Sequence, residues 1–147
     1  MKFSVTLAPL VLSLLPSLAS AISLAYDPVY DNAQGSLTTV ACSDGDNGLI
    51  RRGFTTFGSL PKFPHIGAAA VVTGWNSAAC GTCWKLTYEN SDGESKSINV
   101  LAIDAAGSGA GFNVALAAMN ELTGGNAMQL GRVEVESEQM DASVCGL

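Results

Sequence analysis

Positive charge is scarce in this chain: seven Lys and Arg stand against 13 Asp and Glu, for a formal net charge of −6 at pH 7. Binding to a phosphate backbone is carried mainly by cations, so nucleic acid is not an expected partner. The one adjacent basic pair, Arg51-Arg52, reads as a solvated turn. Histidine is scarcer still. The single His65 lies between Pro64 and Ile66, a surface or structural position that argues against the commonest metal ligand set. No metal or cofactor is expected. The chain has no Asn-X-Ser/Thr acceptor for N-linked glycan, and its glycine-rich segment 105–111 lacks the following Lys of a phosphate-cradling loop.

Long apolar runs are also missing after the first residues. Lys2, an apolar stretch from Phe3 to Leu18 and the small residues Ala19-Ser20-Ala21 form a secretory leader. A membrane span needs about 20 apolar residues, and Pro16 cuts this stretch short. Cleavage is expected after Ala21, leaving one domain over 22–147, soluble outside the cell and a monomer. Without Lys2 six basic residues face 13 acidic ones, a net charge near −7.

Four cysteines are present, Cys42, Cys80, Cys83 and Cys145, and in an oxidising compartment two disulfides are the natural expectation. Three pairings are possible. Cys80–Cys83 is the least attractive staple. A redox reading of Cys80-Gly-Thr-Cys83 needs a helix opening at the first cysteine, whereas the alternating strand Trp84–Tyr88 follows. A zinc site would have to use all four cysteines outside the cell.

The mature chain reads as short strands. Ile22–Tyr26, Leu37–Ala41 and Ala68–Thr73 are apolar segments, with a brief extended piece at Phe54–Phe57 and irregular chain around Pro61 and Pro64. The clearest element is a hairpin, in which Trp84–Tyr88 alternates, Asn90-Ser91-Asp92-Gly93 turns and Ser97–Asp104 returns. Trp84 alternates with Leu86 and Tyr88 and reads as core. A helix is predicted over Val114–Leu122, with Asn113 as its N-cap and Gly124-Gly125 as its stop, and Arg132–Ser137 is a final strand. Many short strands and one helix point to a small closed or nearly closed barrel.

Several blocks then occur in a recognisable order: Tyr26-Asp27-Pro28-Val29-Tyr30-Asp31, Cys42-Ser43-Asp44-Gly45 and Phe54-Thr55-Thr56-Phe57-Gly58-Ser59-Leu60-Pro61. Gly74-Trp75-Asn76-Ser77, Cys80-Gly-Thr-Cys83-Trp84, Ala102-Ile103-Asp104 and Leu130-Gly131-Arg132-Val133 continue the series. Together they resemble the cerato-platanin family of secreted fungal proteins over essentially the whole mature chain. The resemblance implies a mainly β fold, a six-stranded double-psi β-barrel with one or two short helices, related to the expansin domain and to family 45 endoglucanases. It also implies the disulfides Cys42–Cys80 and Cys83–Cys145. On chain entropy each such bridge stabilises by about 4 kcal/mol.

The family resemblance further implies secretion or wall association, binding of chitin or N-acetylglucosamine oligomers, loosening of polysaccharide without evident hydrolysis, and elicitor, phytotoxin or allergen activity. Glycoside hydrolysis ordinarily needs two facing carboxyl groups. Asp104, ending the apolar strand Ile98–Ile103, is the best single acid, and the resemblance places it at the acidic position shared with expansins and the endoglucanases. No second acid is positioned with similar force: Asp27, Asp31, Asp44 and Asp46 lie in turns that their own side chains readily cap. This chain departs from the family after Asp104, where many members carry His and residues 105–111 are here only Ala, Gly and Ser.

The candidate carbohydrate-binding residues are Tyr26, Asp27, Asp44, Asn47, Trp75, Asn76 and Asp104. The leading expectation is a secreted, non-catalytic, expansin-like protein that binds chitin or N-acetylglucosamine oligomers, or cellulose and other wall glucans, and is sensed by a host receptor. Slow hydrolysis using Asp104 and interfacial coating of hyphae are the two alternatives.

Overall fold

The computed structural model describes residues 21–147, so the expected leader lies outside the described residues except for Ala21. Six strands close into a barrel: β1 (Ala21–Tyr26), β2 (Ile66–Ala69), β3 (Cys83–Glu89), β4 (Ser95–Ala105), β5 (Phe112–Val114) and β6 (Arg132–Met140). Their order round the barrel is β1-β5-β2-β4-β3-β6. The pairs β1–β5 and β2–β4 are parallel and the other four antiparallel. Two short helices, α1 (Leu116–Thr123) and α2 (Ala127–Leu130), fill the connection from β5 to β6. The mainly β barrel expected from the resemblance is the observed architecture.

The hairpin forms where alternation and turn chemistry agree. Leu86 pairs with Ile98 and Trp84 with Val100 across β3–β4, and Leu86, Ile98 and Val100 are buried. The turn is held by Asn90, whose Oδ1 accepts from the amides of Asp92 and Glu94 at 3.0 and 2.9 Å. Trp84 is half-buried and packs on Phe112, with ring centroids 5.7 Å apart.

Three expected elements are corrected. Leu37–Ala41 is not a strand: Leu37–Thr39 is a 3-10 turn, because the Ser36 hydroxyl accepts from the Thr38 amide and the Thr39 hydroxyl donates to the Ser36 carbonyl. Such local bonds compete with a ladder. Leu37 is nevertheless fully buried, so its apolarity marks core without marking a strand. Phe54–Phe57 contributes one isolated bridge, Ser36 to Thr56. The strand expected at Ala68–Thr73 runs instead over Ile66–Ala69 and ends in a turn where the Val72 amide donates to the Ala69 carbonyl. Close backbone approach does occur there: a Cβ on Gly67 would lie 2.4 Å from the Asn113 carbonyl oxygen.

The helix starts two residues late. Asn113 and Val114 belong to β5, and Ala115 occupies the N-cap without a side-chain bond. The free amides are capped from a distance instead. Asp31, 85 residues earlier, accepts from Leu116 N at 2.7 Å and Ala117 N at 2.9 Å, where a carboxylate also suits the helix dipole. Gly124 stops the helix in the left-handed region at φ 66°, as its position predicts. The final strand extends three residues beyond Ser137, to Met140.

Two disulfides close the frame, Cys42–Cys80 and Cys83–Cys145, with Cα separations of 5.3 and 5.6 Å. Among the described residues no helix is long and apolar enough to cross a membrane.

Candidate functional site

Two loops meet on one rim of the barrel. The first, Ser43–Gly48, follows Cys42, whose amide donates to the Ile103 carbonyl at 3.1 Å and whose sulfur is bonded to Cys80. Gly48 lets this loop fold on itself: a Cβ there would lie 2.0 Å from the Ser43 carbonyl oxygen. The second loop carries Gly74-Trp75-Asn76-Ser77, with Asn76 at φ 59°, a conformation Asn tolerates better than most residues. Asn76 is the clamp. Its Oδ1 accepts from the Asn47 amide at 2.9 Å, and its carbonyl accepts from Asn47 Nδ2 at 3.0 Å. Gly45 gives room for it, since a Cβ there would meet Asn76 Oδ1 at 2.4 Å.

Trp75 stands on this clamp. Its indole N–H donates to Asp44 Oδ1 at 2.9 Å, while the residue stays 65% exposed. The indole donor, the Asp44 amide and the Ser43 hydroxyl together lower the Asp44 carboxyl below its ordinary value, the indole having the largest effect. A flat aromatic surface is thus presented to solvent in one orientation.

Asp104 lies near the end of β4. Its Oδ2 accepts from the Tyr30 hydroxyl at 2.9 Å, and its Oδ1 from the amides of Ala41 at 3.0 Å and Ala105 at 2.8 Å. Three donors therefore occupy most of the roughly four lone-pair sites of one carboxylate, and through them Asp104 fixes its surroundings. Tyr30 is 5% exposed. Burial, then the Asp104 charge and hydrogen bond, and finally the Asp27 charge, hold its hydroxyl far above the ordinary phenol range. Asp27 itself accepts from Val29 N at 3.0 Å and caps the turn that carries Tyr30.

The seven candidate residues thus fall into groups. Asp44–Trp75 and Asn47–Asn76 form two hydrogen-bonded pairs, joined by the adjacency of Trp75 and Asn76 in the chain. Asp27 and Asp104 flank Tyr30. The short segment 41–44 links the groups, with Ala41 held by Asp104, Cys42 by Ile103 and Asp44 by the Ser43 hydroxyl at 3.3 Å. Tyr26 stands in β1 opposite Val114, half-buried and bonded to neither group through its side chain.

Two residues of this region were not singled out from sequence. Tyr30 lies in a recognised block, but its role depends on a contact 74 residues away. Asn113 reads in the sequence as a helix N-cap. The register pairs Ala68 with Asp104 on one side and with Asn113 on the other, so the two polar side chains share a face across one alanine, about 10 Å apart at two strand spacings. The alternation Phe112-Asn113-Val114 was the available signal, too short to outweigh the helical pattern after it.

Other candidates have structural partners. His65 Nε2 lies 2.5 Å from Glu121 Oε2, tying the chain before β2 to α1, and Asp46 pairs with Arg51. Residues of the 105–111 segment line a shallow cavity of about 270 Å³ with Ala70, Val72 and Thr73. Among the described residues no group of three or more His, Cys, Asp or Glu could hold a metal ion.

A sequence model of the family described as Cerato-platanin matches residues 22–147. The chain is 52% identical to the Allergen Asp f 15 homolog of Arthroderma benhamiae, across 99% of this chain and 70% of that protein. It is 46% identical to the Heat-stable 19 kDa antigen of Coccidioides immitis, across 88% of this chain and 84% of that protein. The crystal structure of cerato-platanin 2 from M. perniciosa superposes with a TM-score of 0.81 at 55% identity, covering 87% of this chain and all of that one. With this barrel, these bridges and a match over the whole of residues 22–147, the chain belongs to the cerato-platanin family.

Proposed function

We propose that the protein is a secreted, non-catalytic glycan-binding protein whose ligand is chitin or an N-acetylglucosamine oligomer. The observation that carries this reading is the exposed Trp75 ring, held by Asp44 beside the Asn47–Asn76 clamp. A flat ring faces the apolar side of a sugar, and the remaining oxygen of Asp44, Asn47 Oδ1 and Asn76 Nδ2 serve its hydroxyl and acetamido groups. Few aromatics and solvent-competing hydrogen bonds make the binding weak. Asp104 acts as a positioning residue, because its donors place Ala41 and the Tyr30 turn, and the loosening of wall polysaccharide needs no bond cleavage from it.

The leader is cleaved after Ala21, releasing residues 22–147 outside the cell. Sensing by a host, the role that the names of the allergen and antigen relatives carry, is proposed for this chain on kinship alone.

Sedimentation with insoluble chitin tests the reading. Wild type is retained, Trp75→Ala is retained at least about tenfold less, the loss of roughly 1.4 kcal/mol, and no reducing ends are released by either. Equal retention of Trp75→Ala counts against the site, and reducing ends released by wild type but not by Asp104→Asn count against a non-catalytic role.

A further inference from the structure

The opposite end of the β3–β4 hairpin and the α1–α2 corner enclose a separate groove. Two adjoining cavities of about 330 and 520 Å³ share Tyr88, Asn90, Thr123 and Asn126 as walls. Lys96, which lines the first, lies eight residues before Asp104 on β4, about 26 Å at the usual rise of a strand. The groove lies at the other end of β4 from Asp104 and shares no lining residue with Asp44, Asn47, Trp75 or Asn76.

The lining selects a class of ligand. Asp92, Glu94 and Lys96 at the rim leave one net negative charge, which gives an anion no attraction. Within, Tyr88 offers a half-buried ring beside Leu122, an apolar wall for a flat face. The carboxamides are set at fixed places: Asn90 by its bonds to the turn amides, and Asn126 by donating from Nδ2 to the Thr123 carbonyl at 3.0 Å. The Asn126 Oδ1, the Tyr88 hydroxyl and the exposed Gln129 carboxamide make no hydrogen bond among the described residues. Gly124, left-handed and with open space where a Cβ would stand, bares backbone between them.

We propose that this groove is a second glycan subsite, which takes a neutral N-acetylated sugar and gives the barrel one glycan-binding surface at each end. The inference rests on the reading of the protein as a glycan binder. An amide donates and accepts at once, so the carboxamides of Asn126 and Gln129 complement an acetamido group while Tyr88 covers the ring. Two weak sites on one rigid body then act together on a polymer, where the second contact is intramolecular.

The test is a 15N-HSQC titration with chitotetraose of protein secreted from the full-length chain. Amides of Asn90, Gly124 and Gln129 shift in wild type and equally in Trp75→Ala. Gln129→Ala and Tyr88→Leu weaken binding at these amides about five- to tenfold, a step the size of one lost hydrogen bond, while shifts at Asp44 and Asn47 persist. Because Gln129 is exposed, its variant reads the groove without disturbing the core. Unmoved groove amides in wild type, with the loop amides shifting, overturn the second subsite and leave the first. Groove shifts that vanish in Trp75→Ala also overturn it. Shifts confined to the groove support this inference and contradict the Trp75 site.

Discussion

Asp44 and Trp75 are joined across 31 residues by one hydrogen bond of 2.9 Å, from the indole nitrogen to a carboxylate oxygen, with the ring left facing solvent. A lone exposed tryptophan on a glycine-flanked loop samples several orientations. This bond and the Asn47–Asn76 clamp select one.

The pair responds to acid. The Asp44 carboxyl is lowered in the fold, so its bond to Trp75 is fully present above the ordinary carboxyl value of 3.8 and is lost as pH falls through the lower folded value. The Trp75 indole N–H resonance is expected to stay constant from neutral pH down to about 4 and to move only below it. A midpoint above 3.8 contradicts the assignment. Asp44→Ala holds the indole resonance at its acid position throughout.

The Tyr30–Asp104 pair responds to base. Tyr30 ionises far above the ordinary value of 10.0 in the fold, so its contribution to stability is full below about pH 10 and falls as pH rises beyond it. Tyr30→Phe leaves Asp104 Oδ2 without its donor and is expected to cost about 1–2 kcal/mol in urea unfolding at pH 7. The variant also loses the alkaline dependence that belongs to this hydroxyl. An unchanged midpoint indicates that water replaces the phenol.

Asp31→Ala removes the cap of α1 from a distance. Two backbone amides lose a charged acceptor, and the expected cost is about 1–2 kcal/mol. Hydrogen exchange should accelerate at Leu116 and Ala117, with the Asp44–Trp75 loops unaffected. Protection that is unchanged at these amides refutes the capping role.

The disulfides differ in what they hold. Each stabilises by about 4 kcal/mol on chain entropy, but only Cys42–Cys80 joins the base of the Asp44 loop to the segment following Trp75. Cys42→Ala/Cys80→Ala is therefore expected to lower both stability and chitin retention. Cys83→Ala/Cys145→Ala lowers stability with retention preserved at temperatures where the protein stays folded. Equal loss of retention in both pairs separates the site from the bridge and contradicts this division.

What was legible in the sequence follows the range of the interactions involved. The β3–β4 hairpin was legible because its alternation, turn and register lie within residues 83–105. The disulfide pairing came with the family blocks, not with spacing. The groups Asp44–Trp75 and Asn47–Asn76 were named residue by residue, but their grouping depends on contacts across 29 to 31 residues that no local pattern encodes. Leu37–Ala41 misled because burial without a partner strand looks the same in sequence as burial within one. Asn113 misled because a three-residue strand running directly into a helix leaves no boundary signal, and the true cap, Asp31, lies far upstream.

The central claim is that Trp75, mounted on Asp44, contacts sugar. Titration of the protein with chitotetraose, observed at the Trp75 indole N–H and the amides of Asp44 and Asn47, tests it most directly. The account predicts saturable shifts at all three, which disappear from the two amides in Trp75→Ala while the spectrum remains that of a folded barrel. An indole resonance that does not move at saturating oligosaccharide contradicts it.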